Sequence, residues 1–253
     1  MENHWLDYSQ IKFIIMSRGR AKSITSHTLF PYATILVPKS EESDYRSSLG
    51  DTYTIETVED NIKGLGLLRN HIVQRYKENI VIMIDDDIIN LTRIDEYTLK
   101  KITDPETIKQ HLLNTAQCAL DLGTSVFGFG KTADVRKYNP TEPFALCGWV
   151  GGVIGVIGKE HFFIDNMFKV DIDFCLEILL DKRVIWKDNR LVFVQVRDRN
   201  TGGNSTFRTT ELVNAEKKKL RNKWGKYIKF SKSNSGEQCS ISVKRREQYS
   251  LDY

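Results

Sequence analysis

Three adjacent carboxylates, Asp85-Asp86-Asp87, follow directly on the apolar run Ile80-Val81-Ile82-Met83-Ile84. Like charges at one point repel, and the end of a buried strand gives them no structural reason to gather. A bound divalent cation supplies one. Hard carboxylate oxygens suit Mg²⁺ or Mn²⁺, with the phosphates of a nucleotide completing the shell. On extended backbone Asp85 and Asp87 point one way and Asp86 the other. Asp85 and Asp87 are therefore the candidate metal ligands, and Asp85 and Asp86 candidates for the rim of a nucleotide site. The plainer alternative is a solvated acidic turn. A second acidic group, Asp171-Ile172-Asp173, opens an expected helix. The helix dipole alone favours acids there. The functional reading makes Asp171 and Asp173 candidate catalytic residues, one of them a general base toward a hydroxyl acceptor.

Phosphate needs cations or backbone amides. Ser17-Arg18-Gly19-Arg20 follows the first apolar run, which places Ser17, Arg18 and Arg20 at the same sheet edge as the acids. Arg69, on a helix after Gly64-Leu65-Gly66, has the forked geometry that grips a diphosphate. Gly202-Gly203-Asn204-Ser205-Thr206 is a polar glycine loop whose amides suit phosphate, or a plain turn. His4, His27, His71, His111 and His161 have no ligand spacing and read as surface or packing residues.

These residues need a scaffold, and the apolar pattern supplies it. Lys12–Met16, Ala33–Pro38, Tyr53–Thr57, Ile80–Ile84 and Ser125–Phe129 read as strands. Gly64–Gln74, a segment from Asp104 to Gly123 capped by Asp104-Pro105, and Asp171–Asp181 read as helices. Ile80–Ile84 is apolar throughout, the mark of a central parallel strand covered on both faces. Alternating β and α units give an α/β fold with a mostly parallel, doubly wound sheet flanked by helices. Ligands in such sheets bind at the carboxyl ends of the strands, where the acids stand. The glycine-rich Ala145–Ile157 predicts a close approach of backbone to a neighbour. Val184–Trp186 and Leu191–Val196 read as strands paired around a turn at Asp188-Asn189. Thr209–Lys223 reads as a helix and Tyr227–Val243 as a hairpin turning near Asn234-Ser235-Gly236.

With 253 residues, 40% hydrophobic and 28% charged, the chain is neither disordered nor fibrous, and no apolar run is long enough to span a bilayer. Met1-Glu2-Asn3-His4-Trp5 lacks the basic start and apolar core of a secretory signal, and Cys118, Cys147, Cys175 and Cys239 lie far apart. Reduced thiols in a cytoplasm are expected, without zinc. The net charge is only +4, but it is unevenly spread. From Arg208 onward twelve basic residues face five acidic ones, so this segment carries +7 and the preceding 207 residues −3. A polyanion-binding surface would look like this; so would a solvated helix face. Trp224, Tyr227 and Phe230 interleave with the lysines, as stacking platforms for bases or as the buried stripe of a terminal element.

Taken together, "GLGLLRN" at 64–70, a strand running into "DDD" at 85–87 and "VDIDFCLEIL" at 170–179 resemble the GT-A fold glycosyltransferases. Those enzymes have a similar Arg-Asn helix, a metal-binding D-x-D after a strand, and a Glu-Asp-type motif opening a later helix. Val170 stands where many members carry Glu, which leaves Asp171 as the match for the acceptor-activating carboxylate. "IIMSRGRAKSI" at 14–24, "ILVPKSEESDYR" at 35–46 and "MIDDDI" at 83–88 resemble, more narrowly, the TET-associated glycosyltransferases, a mostly bacteriophage and eukaryotic family.

The resemblance implies a GT-A-like domain over residues 1–207, with a basic extension over 208–253 packed on the same domain. It implies transfer from a nucleotide-sugar, a UDP-sugar above all, to the hydroxymethyl group of a modified pyrimidine in double-stranded DNA. Asp87 with Asp85 would hold Mn²⁺ or Mg²⁺; Ser17, Arg18, Arg20 and Arg69 would bind nucleotide and phosphates; Asp171 would deprotonate the acceptor; the basic segment would hold the DNA backbone. The alternatives are a glycosyltransferase for another acceptor, a nucleotidyltransferase on the same fold, and a DNA-binding module without catalysis.

Overall fold

The apolar runs become strands, and their alternation decides which helix each one meets. The computed structural model describes residues 6–77, 79–96, 98–158, 162–166, 168–196, 209–233 and 236–243, the side chains of 232–238 excepted. In chain order the elements are β1 (Ile11–Met16), β2 (Thr34–Pro38), α1 (Glu42–Leu49), β3 (Ile55–Val58), α2 (Leu65–Arg75), β4 (Ile80–Asp85), β5 (Ile88–Asp95), β6 (Thr98–Ile102), α3 (Pro105–Asp121), β7 (Val126–Phe129), β8 (Phe144–Ala145), β9 (Val153–Ile157), α4 (Val170–Asp181), β10 (Trp186–Asp188), β11 (Leu191–Gln195), α5 (Thr210–Trp224), β12 (Ile228–Ser233) and β13 (Gly236–Ile241). Asp104 caps α3 as expected: its carboxylate accepts from Thr107 N at 2.8 Å, with Pro105 in the first turn.

Eight strands form the main sheet in the order β3-β2-β1-β4-β9-β7-β10-β8. Neighbours from β3 to β4 are parallel, as are β7 and β10; β9 and β8 run against them. Side chains alternate across the sheet. Phe13, Ile15, Ile82 and Ile84 meet Tyr45 of α1 and Ile108, Leu112 and Ala116 of α3 on one face. Ile14, Met16, Val81 and Met83 meet Ile72 and Val73 of α2 and Phe174, Cys175 and Ile178 of α4 on the other. Each such side chain, fully buried, stabilises the fold by about 1.5–3 kcal/mol. Asp85 continues the row of Val81 and Met83, so the alternation delivers it to the α2–α4 face.

The close approach expected of the glycine-rich stretch is internal packing. A Cβ on Gly155 would run into the ring of Phe127, and one on Gly128 of β7 would meet Cβ of Val150 at 2.5 Å. Two expectations need correction. Val184–Trp186 and Leu191–Val196 do not pair: β10 joins the main sheet beside β7, whereas β11 joins β5 in a second sheet of order β11-β5-β6. The turn after Asp188 is there, but it hands the chain from one sheet to the other. Likewise the β5–β6 hairpin, which rises straight from the acidic turn, has no counterpart in the sequence reading, because the alternation in β5 breaks at Asn90-Leu91-Thr92, all three buried. The C-terminal helix and hairpin form as expected, although Asn234 and Ser235 of the turn lie outside the described residues. Leu220 and Ile228 pack there on Ile172 and Leu176 of α4. Among the described residues no helix is long and apolar enough to cross a membrane, and the four cysteines are thiols.

Candidate active site

The motif 64–70 is a device for placing one guanidinium. Gly64 precedes α2 with φ of +96°, a conformation that favours glycine. Gly66 lets the helix lie against backbone, since a Cβ there would collide with the carbonyl of Ile164. Asn70 holds the same segment from both sides: its Nδ2 donates to Phe163 O at 2.8 Å, and Phe163 N donates to its Oδ1 at 2.7 Å. Arg69, between these two, is thereby driven under the sheet edge with 1% of its side chain exposed. Its guanidinium lies 5.3 Å from the ring centre of Phe163.

Two carboxylates answer it. Arg69 Nη2 lies 3.6 Å from Asp85 Oδ1, and Nη1 is paired with Asp171 Oδ1 from the first turn of α4. Burial pushes the Arg69 guanidinium down from its ordinary range and Asp85 opposes this; burial pushes Asp85 up and Arg69 opposes it. Asp85 is further fixed by Gln195 Nε2, donating to its Oδ2 at 2.7 Å, and by its own N–H, donating to Gly152 O at 2.8 Å. Arg69 was expected on a phosphate. In the structure it is the buried tie between Asp85 and Asp171.

Asp86, the first residue of the turn after β4, meets the β1 loop instead. Its Oδ2 accepts from Ser17 Oγ at 2.6 Å and its Oδ1 from Arg20 Nη1 at 2.5 Å, and Ser17 Oγ also hydrogen-bonds Tyr45 OH at 2.6 Å. Burial raises the Asp86 carboxyl against the pull of Arg20. Ser17, Arg20 and Asp86, expected on the nucleotide, thus clamp one another and fix the β1 loop to the acidic turn. Arg18 also spends a hydrogen bond on the fold, Nη2 donating to Ile62 O at 2.8 Å. The strand alternation stops at Asp86, since Asp86 and Asp87 form a turn rather than extended chain. Asp87 is the member left over. Its Oδ2 is 3.9 Å from Arg20 Nη1, and its Oδ1 is buried with no hydrogen-bond partner. Burial, then Asp85 and Asp86, push its carboxyl up to about 7.

Asp173 is not part of this group. Successive helical residues turn by about 100°, so Asp171 and Asp173 lie about 200° apart on α4. Asp173 is fully buried on the far side, accepting from Trp224 Nε1 at 2.6 Å and from Lys223 Nζ at 3.0 Å. It ties α5 to α4. Trp224 donates to that tie, and Tyr227 and Phe230, half-buried, pack around Leu220 and Ile228. His27, His71 and His111 are half-buried packing residues with pKa values lowered by burial. The 202–206 loop, His4 and His161 lie outside the described residues. Sequence reading missed Gln195, Asn70 and Tyr45. The polar end of the β11 run was the one available signal for Gln195.

The arrangement also bears on a metal. Among the described residues no cluster of three or more His, Cys, Asp or Glu side chains has metal-binding geometry, so any ion would rest on fewer protein ligands than a complete cage. That fits Mg²⁺ or Mn²⁺ shared with a diphosphate, which uses one or two protein carboxylates. Asp85, Asp86, Asp87 and Asp171 outnumber the guanidiniums of Arg20 and Arg69 by two. The orphaned Oδ1 of Asp87 is the oxygen such an ion would take.

Residues 11–203 match the family model of the TET-associated glycosyltransferases. The chain belongs to that family. The enzyme class is accordingly that of a glycosyltransferase, and the architecture is the GT-A type, with a mixed sheet of eight strands covered by helices. Among solved structures, S. aureus TarS 1-349 is similar at 13% identity and a TM-score of 0.41 over 76% of this chain; the chain spans 59% of that one. A structure described as a glucose-1-phosphate thymidylyltransferase from Bacillus anthracis is similar at 12% identity and a TM-score of 0.43, over 78% of this chain and 99% of that one. No curated protein matches the sequence. For this TET-associated glycosyltransferase, the motifs at 64–70, 85–87 and 170–179 meet at one place, with Arg69 as their junction.

Proposed function

We propose that the protein transfers a sugar from a nucleotide-sugar, a UDP-sugar foremost, to the hydroxymethyl group of a modified pyrimidine in DNA. The observation that carries the donor half is Asp87 Oδ1, buried and unpartnered at the carboxyl end of the central strand. Asp87 with Asp85 would hold Mn²⁺ or Mg²⁺ on the donor diphosphate, and that ion would supply charge neutralisation for the leaving group. The remaining steps belong to the chain. The acceptor oxygen attacks the anomeric carbon, the bond from that carbon to the phosphate oxygen breaks, and the nucleoside diphosphate leaves with the electron pair. Asp171 takes the hydroxyl proton if the reaction inverts configuration; Arg69 positions that carboxylate.

The acceptor half draws on the family and on the charge of the C-terminal segment. Residues 1–207 act as the catalytic unit and 208–253 as an extension on the same domain, holding the DNA backbone in the cytoplasm. A boundary near 207 falls outside the described residues, but the contacts of Asp173 with Lys223 and Trp224 support the packing. Reaching a hydroxymethyl group for in-line attack requires the base to leave the stack.

The test incubates the protein with Mn²⁺, DNA bearing hydroxymethylated pyrimidines and a panel of UDP-sugars, and reads the DNA by intact mass. A gain of one sugar, lost in Asp87→Asn, is the expected result. Donor hydrolysis without a gain on DNA would discard the DNA acceptor. Pyrophosphate release from a nucleoside triphosphate and a sugar phosphate would establish nucleotidyl transfer instead.

A further inference from the structure

Beyond the acids, a second group gathers along the sheet edge. Lys131 follows β7, Lys187 lies in β10, and Trp149 sits in the segment leading to β9. Lys131 Nζ is 3.8 Å from the centre of the Trp149 ring. That ring adjoins Gly151: a Cβ there would lie 3.1 Å from Trp149 Cζ3 and 3.1 Å from Asp171 Oδ2. One side of a single glycine therefore carries the aromatic edge and the candidate base together. Lys187 lies in register with Gly128, three residues before Lys131, on the face where a Cβ at 128 would meet Val150, the residue after Trp149. Among the described residues no carboxylate pairs with either lysine. Burial first, then Lys187, push the Lys131 amine down to about 7. Two neighbouring amines without an acid make a site for an anion, whose charge favours the protonated form of Lys131.

We propose that Trp149, Lys131 and Lys187 form the subsite for one nucleotide of the acceptor strand, the base against the indole and its phosphate on the two lysines. This rests on the DNA-acceptor reading and names the residues that would realise it. A nucleotide of the donor has the same chemistry, but the position argues for the acceptor. β7 and β10 stand two and three strands from β4, about 10 and 14 Å along the sheet at roughly 4.8 Å per strand. A diphosphate held at Asp87 belongs at β4, whereas a hydroxyl activated by Asp171 belongs beside Trp149. Trp149 is half-buried, one side of it packed on the core; Lys131, which has no ion pair among the described residues, can move to a phosphate and leave the indole to a base, whose stacking is the stronger contact.

The test is fluorescence anisotropy with a labelled single-stranded 12-mer and the full chain, alongside UDP binding in Mn²⁺. Trp149→Ala is expected to weaken oligonucleotide binding about 10-fold, and Trp149→Phe, which keeps an aromatic face, to restore most of it. The double variant Lys131→Gln with Lys187→Gln is expected to reduce the slope of log affinity against log salt by about 0.7, the value for one phosphate on a single strand. Thermal unfolding checks each fold; should Trp149→Ala fail to fold, the lysine variant decides. Folded variants that bind as the wild type would overturn the subsite and leave the function standing. Loss of UDP affinity in the same variants would assign the subsite to the donor and overturn it equally. A wild-type chain that consumes a UDP-sugar but binds neither this 12-mer nor its duplex would overturn the acceptor reading and the subsite with it.

Discussion

Arg69 holds a charge where burial disfavours it, and Asp85 and Asp171 are what make that tolerable. Removing one member of a buried ionic group strands the others, at a cost of about 3–5 kcal/mol. Arg69→Met is therefore expected to lower the unfolding free energy read from urea denaturation by that amount, with Arg69→Lys between it and the wild type; a variant as stable as wild type would refute the tie. Asp87 has the opposite character, since its Oδ1 serves nothing in the fold. Asp87→Asn is expected to leave thermal stability near wild type and to abolish sugar transfer, as EDTA should, with Mn²⁺ restoring only the wild type. A stable Asp87→Asn that still transfers sugar would remove the carboxylate from the chemistry. That acids gather after Ile84 was legible in the sequence, because an apolar strand ended in three charges. The separate tasks of Asp85, Asp86 and Asp87 were not legible. They depend on what each carboxylate meets, and on a turn that ends the alternation after Asp85.

At the level of elements, α4 shows what one helix can separate. Asp171 and Asp173 look equivalent in sequence, yet about 200° of helical rotation sends one to Arg69 and the other to Trp224. Asp171→Asn is expected to reduce transfer by about 10²–10⁴-fold, the range for a general base, if the reaction inverts. Asp173→Ala is expected to keep the chemistry in folded protein and to lose about 1–3 kcal/mol, the cost of leaving a buried donor unsatisfied. Steady-state kinetics beside denaturant unfolding separates the two; a catalytic defect in Asp173→Ala without instability would reverse the assignment. Helix α2 makes a similar point. Gly66→Ala pushes a methyl group into the Ile164 carbonyl and is expected to impair stability and transfer together, because Arg69 rides one turn further along. β1, β4 and α3 were readable because both strands are apolar on the two covered faces of the sheet and the helix has one apolar stripe. The split between β10 and β11 was not, since two short apolar runs around a turn look like a hairpin whichever sheet each joins.

For the molecule as a whole, the balance of charge gives way to its placement. The acidic body carries the carboxylate turn, and the basic segment packs onto α4 through Leu220, Ile228 and the Asp173 contacts. Part of that basic charge is spent internally: Lys223 on Asp173 and Glu177, Lys219 on Asn166. Lys218, Arg221, Lys226 and Lys229 stay exposed, two of them resting on Phe230 and Tyr227. If these four neutralise duplex phosphates, replacing them all by Gln is expected to reduce the salt slope of duplex binding by about 3–4, near 0.9 per contact. Fold is expected to be retained, because none of the four side chains is buried. Sugar transfer to a free hydroxymethyl nucleoside, which has no backbone to hold, should survive in the same variant while transfer to DNA at moderate salt declines. An unchanged slope would mean that DNA, if bound, lies on another surface, and that the +7 of this segment serves solvation alone.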